Sequence, residues 1–191
     1  MLSSRWYRFL LSILLLLAMI WLWSSRVKEL AYHTWQSPEI IDIGDARNFE
    51  DKRLSLPSNS YVSVSGTLGN KAATISGLRA GAFRFGRYQI RQLLGSKLYV
   101  EYNEQKYHSK FNPFTHISVT GRLIPFGTGA ELAKVRDFFQ QYYHQPVDER
   151  AMIVVVDEKP QSEIIYPVLF IASILLIVLS FCFSARAFWS R

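Results

Sequence analysis

A chain of 191 residues with 49% hydrophobic content, 22 basic and 15 acidic residues has room for one modest domain plus attachments. Its net charge of +7 is not the footprint of a nucleic-acid binder, because Arg5, Arg8, Arg186 and Arg191 sit at the two ends and the other 18 basic residues nearly balance the 15 acidic ones. The single cysteine, Cys182, excludes an intrachain disulfide and reads as a small apolar filler.

Residues 1–8 carry Arg5 and Arg8 and are expected on the cytoplasmic side. Residues 9–25 form a first transmembrane helix: Phe9 to Trp23 holds no charge and is flanked by Trp6, Tyr7, Trp21 and Trp23, which favour the membrane interface. Retention of this segment is expected over signal cleavage, since Trp21-Leu22-Trp23-Ser24-Ser25-Arg26 offers no small-x-small site. Residues 26–60 continue as a juxtamembrane helix on Val27, Leu30, Ala31 and Thr34 or Trp35, stopped by Pro38, then as a polar connector with an edge strand at Ile40–Ile43.

Residues 61–156 read as a mainly β extracytoplasmic domain, opened and closed by two versions of one phrase. Val62-Ser63-Val64-Ser65-Gly66-Thr67-Leu68 returns as Ile117-Ser118-Val119-Thr120-Gly121-Arg122-Leu123. Alternation puts Val62 and Val64, or Ile117 and Val119, on one face, and each glycine is expected to allow a bulge or sharp coil. Gly69-Asn70 signals a tight turn into a strand at Ala72–Ser76. A long strand from Phe83 to Leu94 changes apolar parity, so a bulge is expected at Gly86-Arg87. Further strands follow at Lys97–Tyr102, over the second phrase and at Met152–Val156. Between the last two, residues 130–144 carry Leu132, Val135, Phe139 and Tyr142 on one helical stripe, with Thr128 and Glu131 as a capping box. A linker at 157–163, a second transmembrane helix at 164–183 and a tail at 184–191 complete the chain. The expected fold is thus a membrane protein with two transmembrane helices flanking a small, partly open OB-like barrel (the oligonucleotide/oligosaccharide-binding kind) with one inserted amphipathic helix. Arginines outside both spans place both termini on the cytoplasmic or matrix side of a bacterial or mitochondrial inner membrane, and the central domain on the other side.

No catalytic pattern stands out: there is no Gly-x-Ser-x-Gly elbow, no phosphate loop and no metalloprotease helix. Asp42 with Asp45, and Asp148 with Glu149, are the nearest carboxylate pairs and read as loop solvation. His108 and His116 could meet across a hairpin to hold haem or a metal, whereas surface histidines are the default. The distinctive polar feature is the run Arg79, Arg84, Arg87, Arg91 and Lys97 with Tyr88, since no acidic residue falls between Arg53 and Glu101. Alternation puts Arg87 and Arg91 on one outer face, for a solvated sheet, anionic lipid or an acidic partner. In the second span, Ala172 and Ser173 are small enough for a partner helix to approach closely.

This layout, with Val62, Val64, Gly66 and Leu68 matched by Ile117, Val119, Gly121 and Leu123, resembles the surfeit-locus family of cytochrome c oxidase assembly proteins. Where that family carries Asn-Arg-Gly-Trp after its Leu98-Tyr99-Val100 equivalent, this chain reads Glu101-Tyr102-Asn103, and neither span holds a histidine. The resemblance implies a non-enzymatic assembly factor or accessory subunit of a respiratory complex such as a haem-copper oxidase. Integral membrane subunits and the bilayer would be its partners, with Arg84, Arg87, Arg91, Tyr88 and Lys97 as contacts. Haem is the one cofactor the resemblance would bring; none is expected from the residues.

Overall fold

The computed structural model describes residues 4–24, 26–79, 84–127 and 129–189. In chain order the elements are α1 (Ser4–Ser24), α2 (Val27–Thr34), β1 (Ile41–Asp45), α3 (Phe49–Lys52), β2 (Tyr61–Arg79), β3 (Arg84–Leu93), β4 (Leu98–Asn103), α4 (Glu104–Tyr107), β5 (His116–Pro125), α5 (Gly129–Tyr143), β6 (Met152–Val156) and α6 (Ile165–Trp189). They form two compact units, a helical one of residues 1–36 with 163–191 and a mainly β one of residues 37–162.

In the helical unit, Ile165–Arg186 of α6 is the one described helix long and apolar enough to cross a membrane by itself. Its 22 residues extend roughly 33 Å, against a hydrocarbon core of about 30 Å. Phe9–Ser24 of α1 extends only about 24 Å and meets the same test only together with α2, as a bent pair. The expectation of two full spans is therefore met outright by one. α2 joins the unit through Tyr32 and His33, both buried, and the His33 ring stacks on Tyr166 of α6 at 4.8 Å.

The β unit is built on the two repeated phrases, which turn out to be each other's partners. β2 and β5 pair antiparallel without interruption from Tyr61 opposite Arg122 to Thr67 opposite His116, so Val64 faces Val119 and each phrase glycine faces a β-branched residue of the other phrase. The sheet order is β1-β2-β3-β4-β6-β5, with β2 also pairing β5. Each strand from β3 to β6 thus has two neighbours, and β2 has three. β6, whose Met152–Val156 sequence has no polar position, lies between β4 in parallel and β5 in antiparallel register, where both of its faces are covered.

Period-two alternation divides the apolar side chains between two cores. Val62, Val64, Leu68, Leu93, Leu98, Val100, Ile117, Val119, Leu123 and Val154 fill one, closed by Ile43 of β1 and Phe49 of α3. Ile90, Tyr99, Ile153 and Val155 point to the other face, where Leu132, Val135 and Phe139 of α5 cover them together with Phe126.

Several local expectations give way to this arrangement. Gly69-Asn70 does not turn the chain: β2 runs through it and bulges instead, three residues between Leu68 and Ala72 standing against the single Gln92 of β3. The register from Ala72–Arg91 to Arg79–Arg84 is continuous, so no bulge occurs at Gly86-Arg87. Phe83, the expected first residue of this strand, and the proposed cap Thr128 lie outside the described residues. Gly66 and Gly121 are not bulges either. They are points of close approach, a Cβ at Gly66 meeting the Ala46 Cβ at 3.2 Å and one at Gly121 falling on the Val155 carbonyl. Tyr142 leaves the α5 stripe and is 70% exposed. Tyr143 turns inward instead, donating from its hydroxyl to the Ala72 carbonyl at 3.0 Å.

Candidate functional site

The basic run does not form one outer face. Arg87 and Arg91 do share a face of β3, but it is the face that carries the first core, with Arg91 opposite Val100 and Gln89 opposite Tyr102. The Arg91 guanidinium is consumed there. Its Nε donates to the Tyr102 hydroxyl at 2.9 Å and to Gln89 Oε1 at 3.3 Å, while one terminal nitrogen donates to the Gly69 and Asn70 carbonyls, each at 3.2 Å. Those two carbonyls belong to the β2 bulge, which lacks ladder partners. Arg91 is the clamp of the bulge, and burial pushes the neighbouring Tyr102 phenol above its ordinary value.

The other members are dispersed. Tyr88 is buried. Lys97 joins Asp148 at 2.9 Å and Glu50 at 3.3 Å, and its hydrogen bond with Asp148 raises its pKa. Arg87 is exposed and pairs with Glu104 at 3.0 Å. Arg84 stands at the last described pair of the β2–β3 hairpin, directly opposite Arg79. Arg91→Ala is therefore expected to lower unfolding stability by about 2 kcal/mol through the stranded carbonyls. Arg87→Ala, which removes an exposed pair, should change it by less than about 1 kcal/mol. Chemical unfolding of the detergent-solubilised chain checks both, and equal effects would mean that Arg91 does not clamp the bulge.

A shallow depression of about 370 Å³ lies beside the paired phrases, lined by Asp45, Arg47, Gly66, Thr67, Leu94, Gly95 and His116. Asp45 closes the turn after β1. Its Oδ1 accepts from the Arg47 backbone N–H at 2.8 Å and from Arg47 Nε at 3.1 Å, and its Oδ2 accepts from the other arm of the guanidinium at 2.8 Å. These bonds hold the Asp45 carboxyl down at about 2, so it is ionised throughout the physiological range. Gly95 has φ 78°, and the Arg47 stem lies 3.3 Å from where its Cβ would be. Within this depression Asp45 and Arg47 satisfy each other's charge.

The acidic residues considered for catalysis have local duties as well. Asp42 accepts from the Gly44 N–H, and Asp148 accepts from the Arg150 N–H and from Lys97. His116 sits in the depression, whereas His108 is exposed after α4. Among the described residues no group of three or more His, Cys, Asp or Glu side chains is arranged to hold a metal ion.

The helical unit contains a polar seam that the sequence reading overlooked. The Ser12 hydroxyl of α1 lies 2.8 Å from that of Ser180 and 2.9 Å from that of Ser184, both on α6. Farther along, Trp23 Nε1 donates to Ser173 Oγ at 3.2 Å, and the Trp23 ring packs edge-on against Phe170 at 5.2 Å. Apolar helices gain little from each other's hydrophobicity in lipid, so hydrogen bonds and close packing of this kind are what join them. Ser173 thus faces α1 of its own chain, while Ala172 is exposed on another side of α6. The signal was available in the sequence: Ser12 is the one polar side chain between Phe9 and Met19, and Ser173, Ser180 and Ser184 recur at steps of seven and four, one face of a helix.

A second overlooked group is Arg122, which follows the glycine of the second phrase. It is buried against Glu158 at 2.7 Å and Asn59 at 2.8 Å. No family model matches this chain, and no curated protein matches it.

Proposed function

We propose that this chain is a non-enzymatic, membrane-anchored assembly factor or accessory subunit of a respiratory membrane complex, with a haem-copper cytochrome oxidase as the partner class. The observation that supports it most is the mutual pairing of the two glycine phrases at the join of β2 and β5. A circuit of pairings from β2 through β3, β4, β6 and β5 back to β2 fits a small OB-like barrel, with the parallel β4–β6 contact as its crossover. Helical segments before and after this domain, joined by the serine seam, fit a two-pass anchor. Both termini then lie on the cytoplasmic or matrix side, following the terminal arginines, and the β unit lies on the opposite side. The local bonding of Asp42, Asp45 and Asp148 suits a scaffold rather than an enzyme.

A membrane-anchored interaction module of an envelope transport or secretion complex is the second reading. It is favoured by Glu101-Tyr102-Asn103, which stands where the surfeit-locus resemblance has Asn-Arg-Gly-Trp. Purification of the intact chain from native membranes in mild detergent separates the two. Oxidase subunits in the eluate, with haem absorption bands, are the expected result. A colourless eluate holding transport or secretion subunits would replace the first reading with the second.

A further inference from the structure

Within the helical unit, α6 is a ruler against which the other helices can be placed in depth. Ser12 of α1 meets Ser180 and Ser184, while Trp23 meets Ser173 and Phe170, so α1 runs antiparallel along α6. Ser12 to Trp23 is roughly 16 Å of helix, and Ser184 to Ser173 is the same. Phe170 and Ser173 lie roughly 8 and 12 Å inside the start of the apolar stretch Ile165–Arg186, and α1 ends at Ser24. α1 thus stops about that far short of the level at which α6 becomes apolar.

α2 fills the remainder by turning. It is bent by 69° from α1, and its His33 stacks on Tyr166, beside the first residue of the apolar stretch. A straight helix from Trp23 to His33 would advance roughly 15 Å along α6, whereas Tyr166 lies only about 6 Å beyond Phe170. α2 therefore crosses α6 obliquely within the outermost turns of the apolar stretch. Its residues divide to match. Leu30, Tyr32 and His33 are buried. Val27, Ala31 and Trp35, at steps of four, form one apolar stripe, with Val27 56% and Trp35 68% exposed and Lys28, also exposed, beside it. This stripe continues the exposed apolar surface of α6, whose most apolar window is only 6% buried.

We propose that α2 is an interfacial helix: it lies in the headgroup boundary of the bilayer with Val27, Ala31 and Trp35 against lipid, and completes the thickness that α1 leaves unspanned. An amphipathic helix of this kind sinks about 5–10 Å into the headgroup and acyl boundary, which is the depth the ruler leaves for it. Tryptophan favours this level, and Lys28 can lay its stem along the lipid while its ammonium reaches the phosphates. The proposal rests on the membrane-anchored reading given above, which supplies the bilayer.

The test uses the full chain with Cys182→Ser, carrying one nitroxide at Val27→Cys, at Trp35→Cys or at Ile174→Cys of α6. Each is reconstituted in an equal mixture of phosphatidylcholine and phosphatidylglycerol, and collisions with oxygen and with an aqueous nickel chelate give the depth of the label. Positions 27 and 35 are expected about 5–10 Å inside the phosphate level. Their depths should agree to about 4 Å, the part of their roughly 12 Å separation that a 69° bend leaves along α1. Position 174 should lie near the bilayer centre. Depths at 27 and 35 that differ by the full separation overturn the proposal, because α2 would then continue the span. Nickel access at either position equal to that of a water-soluble label also overturns it, as does shielding from both probes, which would put protein rather than lipid on the stripe. A label at position 174 that is itself aqueous would instead remove the anchor, so the two failures are distinguishable.

Discussion

Gly121→Ala should destabilise the β unit by about 3 kcal/mol, the upper end of what overpacking a core ordinarily does. Gly121 is flanked on both sides, opposite Val62 of β2 and Val156 of β6. A methyl group there would land on the backbone of β6, at the Val155 carbonyl and 3.1 Å from the Val156 Cα. A flexible side chain could move aside; this backbone is held by β4 on its far edge. Relief would require β5 and β6 to separate, breaking the join between the two phrases. Gly127, where an added Cβ meets nothing within 4 Å, is the control, and Gly127→Ala should be nearly neutral. Gly66→Ala falls between them, since its closest neighbour is the Ala46 side chain. Chemical unfolding of the solubilised chain checks the order, which fails if Gly121→Ala and Gly127→Ala have equal midpoints.

Removing either partner of the buried Arg122–Glu158 pair is expected to lower stability by about 3–5 kcal/mol. Both side chains are only 5% exposed, so the survivor would be a charge in a site closed to water. The pair also joins three segments. The guanidinium donates to Glu158 Oε1 at 2.7 Å and, through Nε and its other terminal nitrogen, to Asn59 Oδ1 at 3.0 and 2.8 Å. Asn59 adopts φ 71° just before β2, and its N–H donates to the Leu123 carbonyl of β5. Arg122→Ala therefore loosens the entrance of β2, the end of β5 and the exit from β6 together. Because desolvation offsets much of the attraction within a buried pair, Arg122→Met combined with Glu158→Leu should recover most of the stability lost by either single change. A double-mutant cycle decides. Additive single and double effects would mean that the two charges do not act as a unit.

Much of the architecture follows from residue order alone. The strands over both glycine phrases, the Met152–Val156 strand, the α5 helix and the apolar C-terminal helix are legible because each is a periodic or continuous apolar run, and burial rewards such runs in any tertiary setting. That Phe9–Ser24 passes as a span only together with α2, as a bent pair, was less legible, because apolar composition does not distinguish one span from two bent pieces.

What only the tertiary structure decided is which partner each residue meets. Period-two alternation tells that Arg87 and Arg91 share a face, but not that this face carries the Val100 and Tyr102 core, which turns Arg91 from a surface cation into the clamp of a bulge. Gly69-Asn70 has the chemistry of a hairpin turn, and becomes a bulge because β3 returns later and pairs across it. The phrase glycines announce a backbone constraint without naming its source, which for Gly121 is a carbonyl more than thirty residues away. Local sequence sets periodicity and conformational freedom over a few residues; pairing register, burial of a charge and close backbone approach are decided by segments distant in the chain, and appear only once the sheet has brought them together.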